Sequence, residues 1–464
     1  METGCEQVFV SVELRSLGLT GMQLGNHSPM TPNRPYTPKR VIFAYVSTGG
    51  LFTLAASLIW AINTIFLIQV GHLTLFETTL VNTAFLIAQM VCEVPTGVIA
   101  DTIGRKASFL LSIATILVST VLYVLTPIMG WGIWGFVWAS VLIGLGFTFQ
   151  TGAVDAWMVD ALDEAGWTEP KDRVFAWGQM AGGAAMILGS LAGGFLGQIN
   201  LIIPYIVRAV ILALAFILVM VLVHDSGFVP RPLHFSTFGT ETRTILRAGT
   251  RYGWRSKVVR PLMFVSAVTG MAGMFVFYSW QPFVLQLLGT NSAVWVLGVV
   301  QSVSSLAMIG GSALVGRVMR SGEGRRKPAN VLAVGSLVTA AGVLGIALVG
   351  LSRLAPGLLP AGIAISLWIA WSVMFGMLGP IRSGFINEHI PSAQRATVLS
   401  LDSLFADAGG TVGQPALGWV ATAIGLPVSW ALASIPFAAA APLYRWSGRA
   451  ADAETEEQTE PPRI

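Results

Sequence analysis

Charge is the scarcest property of this 464-residue sequence. Only 11% of residues are Asp, Glu, Lys or Arg, against about 25% in an ordinary soluble domain. Cysteine is nearly absent, with Cys5 and Cys92 alone, which excludes a disulfide framework and a cysteine-based metal site. The five histidines (His27, His72, His224, His234 and His389) fall in tails, loops or the ends of apolar runs. No H-E-x-x-H, G-x-S-x-G or Walker-type sequence occurs, so neither a hydrolytic enzyme nor an ATP-driven pump is expected, and no metal or cofactor. The N-terminal stretch lacks an apolar core of signal-peptide length, and no cleaved signal is expected.

What remains is apolar. Hydrophobic residues make up 54% of the chain and mean hydropathy is +0.71. Runs long enough to span a bilayer, about 20 residues each, fall at roughly 45–69, 78–100, 107–127, 133–158, 174–197, 201–223, 261–287, 293–316, 329–351, 358–381, 396–421 and 426–445. The expected fold is an all-α membrane protein with twelve transmembrane helices. The 51 glycines suit it, because small residues let membrane helices approach closely.

Basic residues supply a topology. With the N-terminus in the cytoplasm, the inner segments hold Arg15, Arg34, Lys39 and Arg40, then Arg105 and Lys106, then Lys171 and Arg173. They also hold the seven basic residues between Arg231 and Arg260, the cluster Arg317 to Lys327, Arg382 and Arg395, and three in the C-terminal tail. The outer loops hold Arg353 alone, and Arg208 lies inside the sixth run. Such a bias places both termini inside. The pI near 9.2 therefore records topology and is no sign of nucleic-acid binding. The polar stretch 224–258 divides the chain into bundles at 41–223 and 259–445, flanked by tails at 1–40 and 446–464 expected to be disordered. Two landmarks repeat: Gly97 and Gly316 lie 219 positions apart, Arg173 and Arg395 lie 222 apart. Fused six-helix repeats are a transporter architecture with the substrate path between the halves.

The loop after the second run reads Gly97-Val-Ile-Ala-Asp101-Thr-Ile-Gly104-Arg105-Lys106. It resembles the cytoplasmic signature of the major facilitator superfamily, G-x-x-x-D-x-x-G-R-[RK], at every fixed position. The resemblance implies alternating access, with Gly97, Asp101, Gly104, Arg105 and Lys106 forming a latch against helix 11 that breaks when the halves rock. Physically, Asp101 at a helix end can pair with cations or cap a neighbouring helix, and Arg105 and Lys106 suit anionic headgroups. In helix 5, Ala185 to Gly194 is similar to the antiporter motif G-x-x-x-G-P-x-x-G-G, with Ala185 and Ser190 replacing glycine and proline. In helix 4, drug antiporters carry an arginine where Ser140 stands here. Thr151 to Asp160 resembles a G-A-x-[ED]-A-W-x-x-D stretch of a bacterial branch.

Charges at membrane depth cost about 2.5–3.5 kcal/mol each on insertion scales, so each is a candidate site. Asp407 lies about 17 Å into helix 11, and with Asp402, Glu93 and Asp155 it is a candidate for proton coupling. Asp155 and Asp160 are alternatively structural partners of Arg173 or Arg105. Arg208 could bind an anionic group or snorkel to the outer interface. Trp60, Asn63, Gln150, Tyr278, Gln281 and Gln301, with Arg208, are candidate cavity residues. Trp280 belongs to the same polar-aromatic group, and Pro282 is expected to break helix 7 and free carbonyls near a ligand. The expected function is secondary active transport, as proton-coupled export of a drug-like or amphipathic compound by a monomer in a bacterial plasma membrane. The alternative is an importer or facilitator of a sugar or other nutrient on the same fold.

Overall fold

The computed structural model describes residues 37–225, 253–320, 327–391 and 394–459. The described residues form helices connected by short turns, with no strand among them. In chain order these are α1 (Pro38–Trp60), α2 (Asn63–Gln69), α3 (Leu75–Ile103), α4 (Arg105–Met129), α5 (Gly132–Gln150), α6 (Ala153–Glu164) and α7 (Asp172–Ile199). They continue as α8 (Ile203–Leu222), α9 (Val259–Leu288), α10 (Val294–Arg320), α11 (Pro328–Leu351), α12 (Leu358–Glu388), α13 (Arg395–Ala423) and α14 (Leu426–Thr459).

These helices give the twelve expected spans, two of them interrupted. The first is α1 followed by α2, parted at Ala61 and Ile62. The fourth is α5 followed by α6, parted at Thr151 and Gly152. Gly152 has φ +77°, a left-handed conformation that residues with a Cβ rarely adopt, so the Gly-Ala-Val-Asp-Ala-Trp stretch begins at a turn. Eleven spans are both long and apolar enough to cross a membrane. The remaining one, α13, is equally long at 29 residues but less apolar, because it carries Asp402, Asp407 and several small residues. It is packed between α9 and α3, where protein rather than lipid surrounds much of it.

The packing repeats. The first span packs on α7 as α9 packs on α13; α3 packs on α5 as α10 packs on α12; α4 packs on α8 as α11 packs on α14. Glycines make the first pairing possible. A Cβ on Gly189 or Gly193 would strike the backbone carbonyls of Leu54 or Leu58 in α1, and one on Gly409 or Gly413 would strike those of Ala267 or Met271 in α9. Each glycine of α7 is 220 positions from its counterpart in α13, and the carbonyls beneath them are 213 apart. The helix-5 motif is thus a close-packing stripe that the second half reproduces.

Three expectations change. Pro282 does not break α9, which runs unbroken from Val259 to Leu288. Arg382, assigned to a loop by hydropathy, lies inside α12. The tail expected to be disordered from residue 446 continues α14 to Thr459, and Lys327 binds Asp452 there at 2.7 Å. Most of the expected N-terminal tail, most of the central loop and the last five residues lie outside the described residues.

Candidate functional site

The two halves meet through α7 against α10 and through α3 against α13, the same contact exchanged between repeats. Their hydrogen bonds gather toward the end opposite the Gly97–Lys106 loop. There the Phe76 N–H of α3 donates to Thr422 Oγ1 of α13 at 2.9 Å, and the Trp295 N–H of α10 donates to Gln198 Oε1 of α7 at 3.2 Å. Each is an N-terminal helix amide without an intrahelical acceptor, satisfied by a side chain of the other half. Gly194 and Gly298 let α7 and α10 touch: a Cβ on Gly194 would lie 2.6 Å from the Gly298 α-carbon.

The interruption in the first span lies at this interface. It frees backbone groups that a continuous helix would pair. Gln281 of α9 takes up two of them: its Nε2 donates to the Trp60 carbonyl at 2.7 Å and its Oε1 accepts the Thr64 N–H at 3.0 Å. The reverse contact also exists. Pro282 has no N–H, so the Tyr278 carbonyl four residues earlier loses its helical donor. The Thr64 hydroxyl donates to it at 2.8 Å. The carbonyl freed by Pro282 therefore meets the other half, not open space. Asn63, at the start of α2, accepts from the Tyr205 hydroxyl at 2.8 Å. Four candidate cavity residues, Trp60, Asn63, Tyr278 and Gln281, belong to this junction. Gln301 is buried on α10, and Gln150 is half-buried at the end of α5, away from it.

Deeper, α3 and α13 each bring a carboxylate. Asp407 is half-buried and lies within electrostatic reach of Glu93, which is exposed. One acid thus comes from each half. Asp402, one to two turns away on α13, is in a different environment. It is 8% exposed and Arg382 binds it through two nitrogens, at 2.7 and 2.6 Å. Ser266 donates to it at 2.6 Å, and Arg382 also reaches the Leu262 carbonyl at 3.1 Å. Sequence reasoning misses this pair because hydropathy places Arg382 with the loops. Asp155 accepts from the Tyr45 hydroxyl at 2.8 Å, while Arg173 pairs with Glu169 and Arg105 with Asp101. The partners expected for Asp155 are taken elsewhere.

At the other end, the signature loop is held within its own half. Asp101 and Arg105 form an ion pair at 3.1 Å. Asp225, just after α8, accepts the Lys106 N–H at 2.7 Å and so caps α4; the Lys106 ammonium donates to the Met220 carbonyl at 2.8 Å. Gly104 has φ +104° and ψ 155°, a region that only glycine enters readily, and the Asp225 carboxylate fills the space a Cβ would need. Nothing in the loop's sequence signals Asp225, which lies 119 positions away. Gly97 faces open space, with no atom within 4 Å of where its Cβ would stand.

Arg208 does not snorkel. It is 2% exposed within the first half, beside Tyr123 and Tyr205, and its Nε has no hydrogen-bond partner. Ser140, at the position where drug antiporters carry arginine, bonds to the Tyr123 hydroxyl at 2.6 Å.

The described helices thus form a multi-pass membrane bundle of two packed halves joined by polar contacts. The profile of the Major Facilitator Superfamily matches residues 45–413. The chain belongs to that superfamily: it is a transporter of a small molecule, not an enzyme. The class C tetracycline resistance protein of Escherichia coli is 29% identical over 145 residues, covering 31% of this chain and 34% of that protein; the match spans about a third of the relative's length. The nucleoside transporter NupG superposes with a TM-score of 0.66 at 12% identity, covering 91% of this chain and all of that one. A D-xylose-proton symporter gives 0.64 at 14% identity, covering 88% and 97%. A bacterial homologue of the human lysosomal transporter Spinster gives 0.65 at 15%, covering 93% and 100%.

Proposed function

We propose that this chain exports a small amphipathic compound in exchange for protons, by alternating access, as a monomer in a bacterial plasma membrane with both termini in the cytoplasm. The observation that carries the coupling is that Glu93 and Asp407, one from each half, lie within electrostatic reach of one another. Carboxylates at membrane depth are proton-carrier candidates. Two that sit on opposite halves change their separation whenever the halves rock. A proton taken up in one arrangement is then released in the other. Asp402 is a poorer carrier, since Arg382 holds it in an ion pair.

Alternating access draws support from the asymmetry of the contacts. The end opposite the signature loop is zipped by Gln281, Thr64, Thr422 and Gln198. At the loop end, Gly97 faces open space and Asp101 is satisfied within its own half. In this reading the loop meets α13 only in the opposite state, where Gly97 permits the approach. Export draws support from the likeness to a tetracycline resistance protein and from the similarity of Ala185 to Gly194 to the antiporter motif. The alternative, import or facilitation of a sugar or nucleoside, draws support from Ser140, which stands where drug antiporters carry arginine.

The test is transport by inverted vesicles under an imposed pH gradient, with tetracycline, lipophilic cations, D-xylose and nucleosides as the panel. Gradient-driven accumulation of an amphipathic compound, with matching proton flux, is expected. Accumulation of xylose or a nucleoside only when the gradient is reversed, with the vesicle exterior acidic, would replace export with the alternative. Transport without proton flux would remove the coupling.

A further inference from the structure

A cavity of about 700 Å³ lies between the start of α11, the end of α12 and the last turns of α14. All three helices belong to the second half. The repeat places the start of α11 at the end of the bundle where α4 starts, that of the signature loop. The volume is that of a small-ligand site, and packing fixes its walls. Gly448 lets α14 close on α11, since a Cβ there would stand 2.6 Å from the Ala329 β-carbon. The Ser447 hydroxyl of α14 donates to the Val258 carbonyl at 2.7 Å, and the Lys327 ammonium donates to Asp452 at 2.7 Å.

The charges on the walls do not cancel. Asp452 neutralises Lys327. Arg445 and Arg449, one helical turn apart on α14, line the cavity and pair with no carboxylate among the described residues. Glu388 is the remaining acid on the wall, and His389 donates from Nδ1 to the Phe385 carbonyl at 2.8 Å. Two guanidiniums are thus set against one carboxylate. The first half differs at the related place: the Asp225 carboxylate caps the start of α4, whereas no described side chain caps the start of α11. Further along α11 the wall turns apolar. Asn330 lines the cavity, and so does Val334 one turn on. Val334, Leu337 and Val338 are all exposed, a face that meets lipid tails in a membrane span.

We propose that this cavity binds the phosphate of an anionic phospholipid. The phosphodiester is held by Arg445 and Arg449, and the acyl chains follow the Val334 face of α11 into the bilayer. Arginine suits the task, because its planar fork donates two N–H groups to phosphate oxygens. Basic pockets between membrane helices at a bilayer surface take lipid headgroups for the same reason. A free phosphate would use the same two arginines but gain nothing from the apolar face. The bound lipid ties the end of α14 to α11 and α12. None of this needs export or proton coupling.

Thermal unfolding of the purified full-length protein in a non-ionic detergent tests it, with titration of dioctanoyl phosphatidylglycerol, dioctanoylglycerol or inorganic phosphate. Phosphatidylglycerol is expected to raise the unfolding temperature saturably, as a ligand of the folded state does. Dioctanoylglycerol has the chains without the phosphate and is expected to leave it unchanged. Inorganic phosphate is expected to need a far higher concentration. Arg445→Gln and Arg449→Gln should each raise the lipid concentration at half-effect about fivefold, the contribution of one basic residue at an anionic surface. Glu388→Gln, which removes the acid from the wall, should lower it. Arg353→Gln, beyond the other end of α11, should leave it unchanged. A lipid effect that survives both cavity substitutions, or that Arg353→Gln reduces as much, would mean unspecific contact with anionic lipid and overturn the proposal. Equal potency of inorganic phosphate would overturn it in favour of a free anion.

Discussion

The Gln281 side chain accepts the Thr64 backbone N–H at 3.0 Å while the Thr64 hydroxyl donates to the carbonyl that Pro282 deprives of its partner. Two defects in two helices, one in each half, thereby satisfy each other. Neither helix could carry its defect alone at membrane depth, since a polar backbone group without water costs several kcal/mol. Closure of this end is therefore coupled to backbone satisfaction.

Gln281→Leu leaves the Trp60 carbonyl and the Thr64 N–H unpaired in the closed arrangement. At about 1–3 kcal/mol per stranded group, a loss of about 2 kcal/mol shifts the closed population roughly thirtyfold. Spin labels on cysteines replacing His72 and Ser292, both exposed at this end, with Cys5 and Cys92 replaced by serine, are expected to show a longer distance population in the variant. An unchanged distribution would remove Gln281 from the closure.

Asp407→Asn is expected to abolish gradient-driven accumulation while leaving exchange of substrate across the membrane without a gradient. Glu93→Gln should weaken the same coupling, because it removes the partner carboxylate. Asp402→Asn has a different expected phenotype, since that acid is bound by Arg382. Measurement of both transport modes in proteoliposomes separates the three.

The Arg382–Asp402 pair gives a stability prediction. Removing one partner strands a charge in a largely buried site, at about 3–5 kcal/mol. Asp402→Asn and Arg382→Met alone should each lower the unfolding temperature of the purified protein. The double variant should recover much of the loss, because no unpaired charge remains. Equal and additive losses would mean the two residues act independently.

Asp225 and Gly104 provide a second cycle. Asp225→Ala removes the cap of α4 and is expected to cost about 1 kcal/mol. Gly104→Ala forces a Cβ into a glycine-only backbone conformation, at about 1–3 kcal/mol, and into the Asp225 carboxylate. Because shortening Asp225 clears that space, the double variant should cost less than the two single losses together. Thermal unfolding of the four proteins reads the coupling.

Much of the architecture is legible in the amino-acid sequence. Hydrophobic runs and basic loops suffice for twelve spans, because lipid forbids unpaired backbone and so fixes span length. Repeat spacing suffices for the two halves, and the signature loop for the superfamily. The site is less legible where it depends on distant pairing. Arg382 sits near a helix end, and hydropathy assigns it to the adjacent loop; only the α9–α12–α13 packing delivers it to Asp402. Asp225 caps α4 through the N–H of Lys106, 119 positions earlier in the chain, which no local pattern encodes. Arg208 reads as a snorkelling candidate from its depth alone, whereas its burial depends on which way its helix face turns.

The glycines separate folding from movement. Gly413 and Gly298 both lie under foreign backbone, but Gly413 faces α9 of its own half and Gly298 faces α7 of the other. A Cβ on Gly298 would lie 2.6 Å from the Ser190 carbonyl oxygen and 2.8 Å from the Gly194 α-carbon. Overpacking of this kind costs about 1–3 kcal/mol, and the structure can escape it in only one way at each position. At Gly413 the half itself must deform, so Gly413→Ala is expected to lower thermal stability. At Gly298 the halves can part, so Gly298→Ala is expected to keep its stability, lengthen the distance between labels at His72 and Ser292, and slow transport. If Gly298→Ala instead lost stability as Gly413→Ala does, the contact between α7 and α10 would be a permanent part of the fold and not a joint that opens.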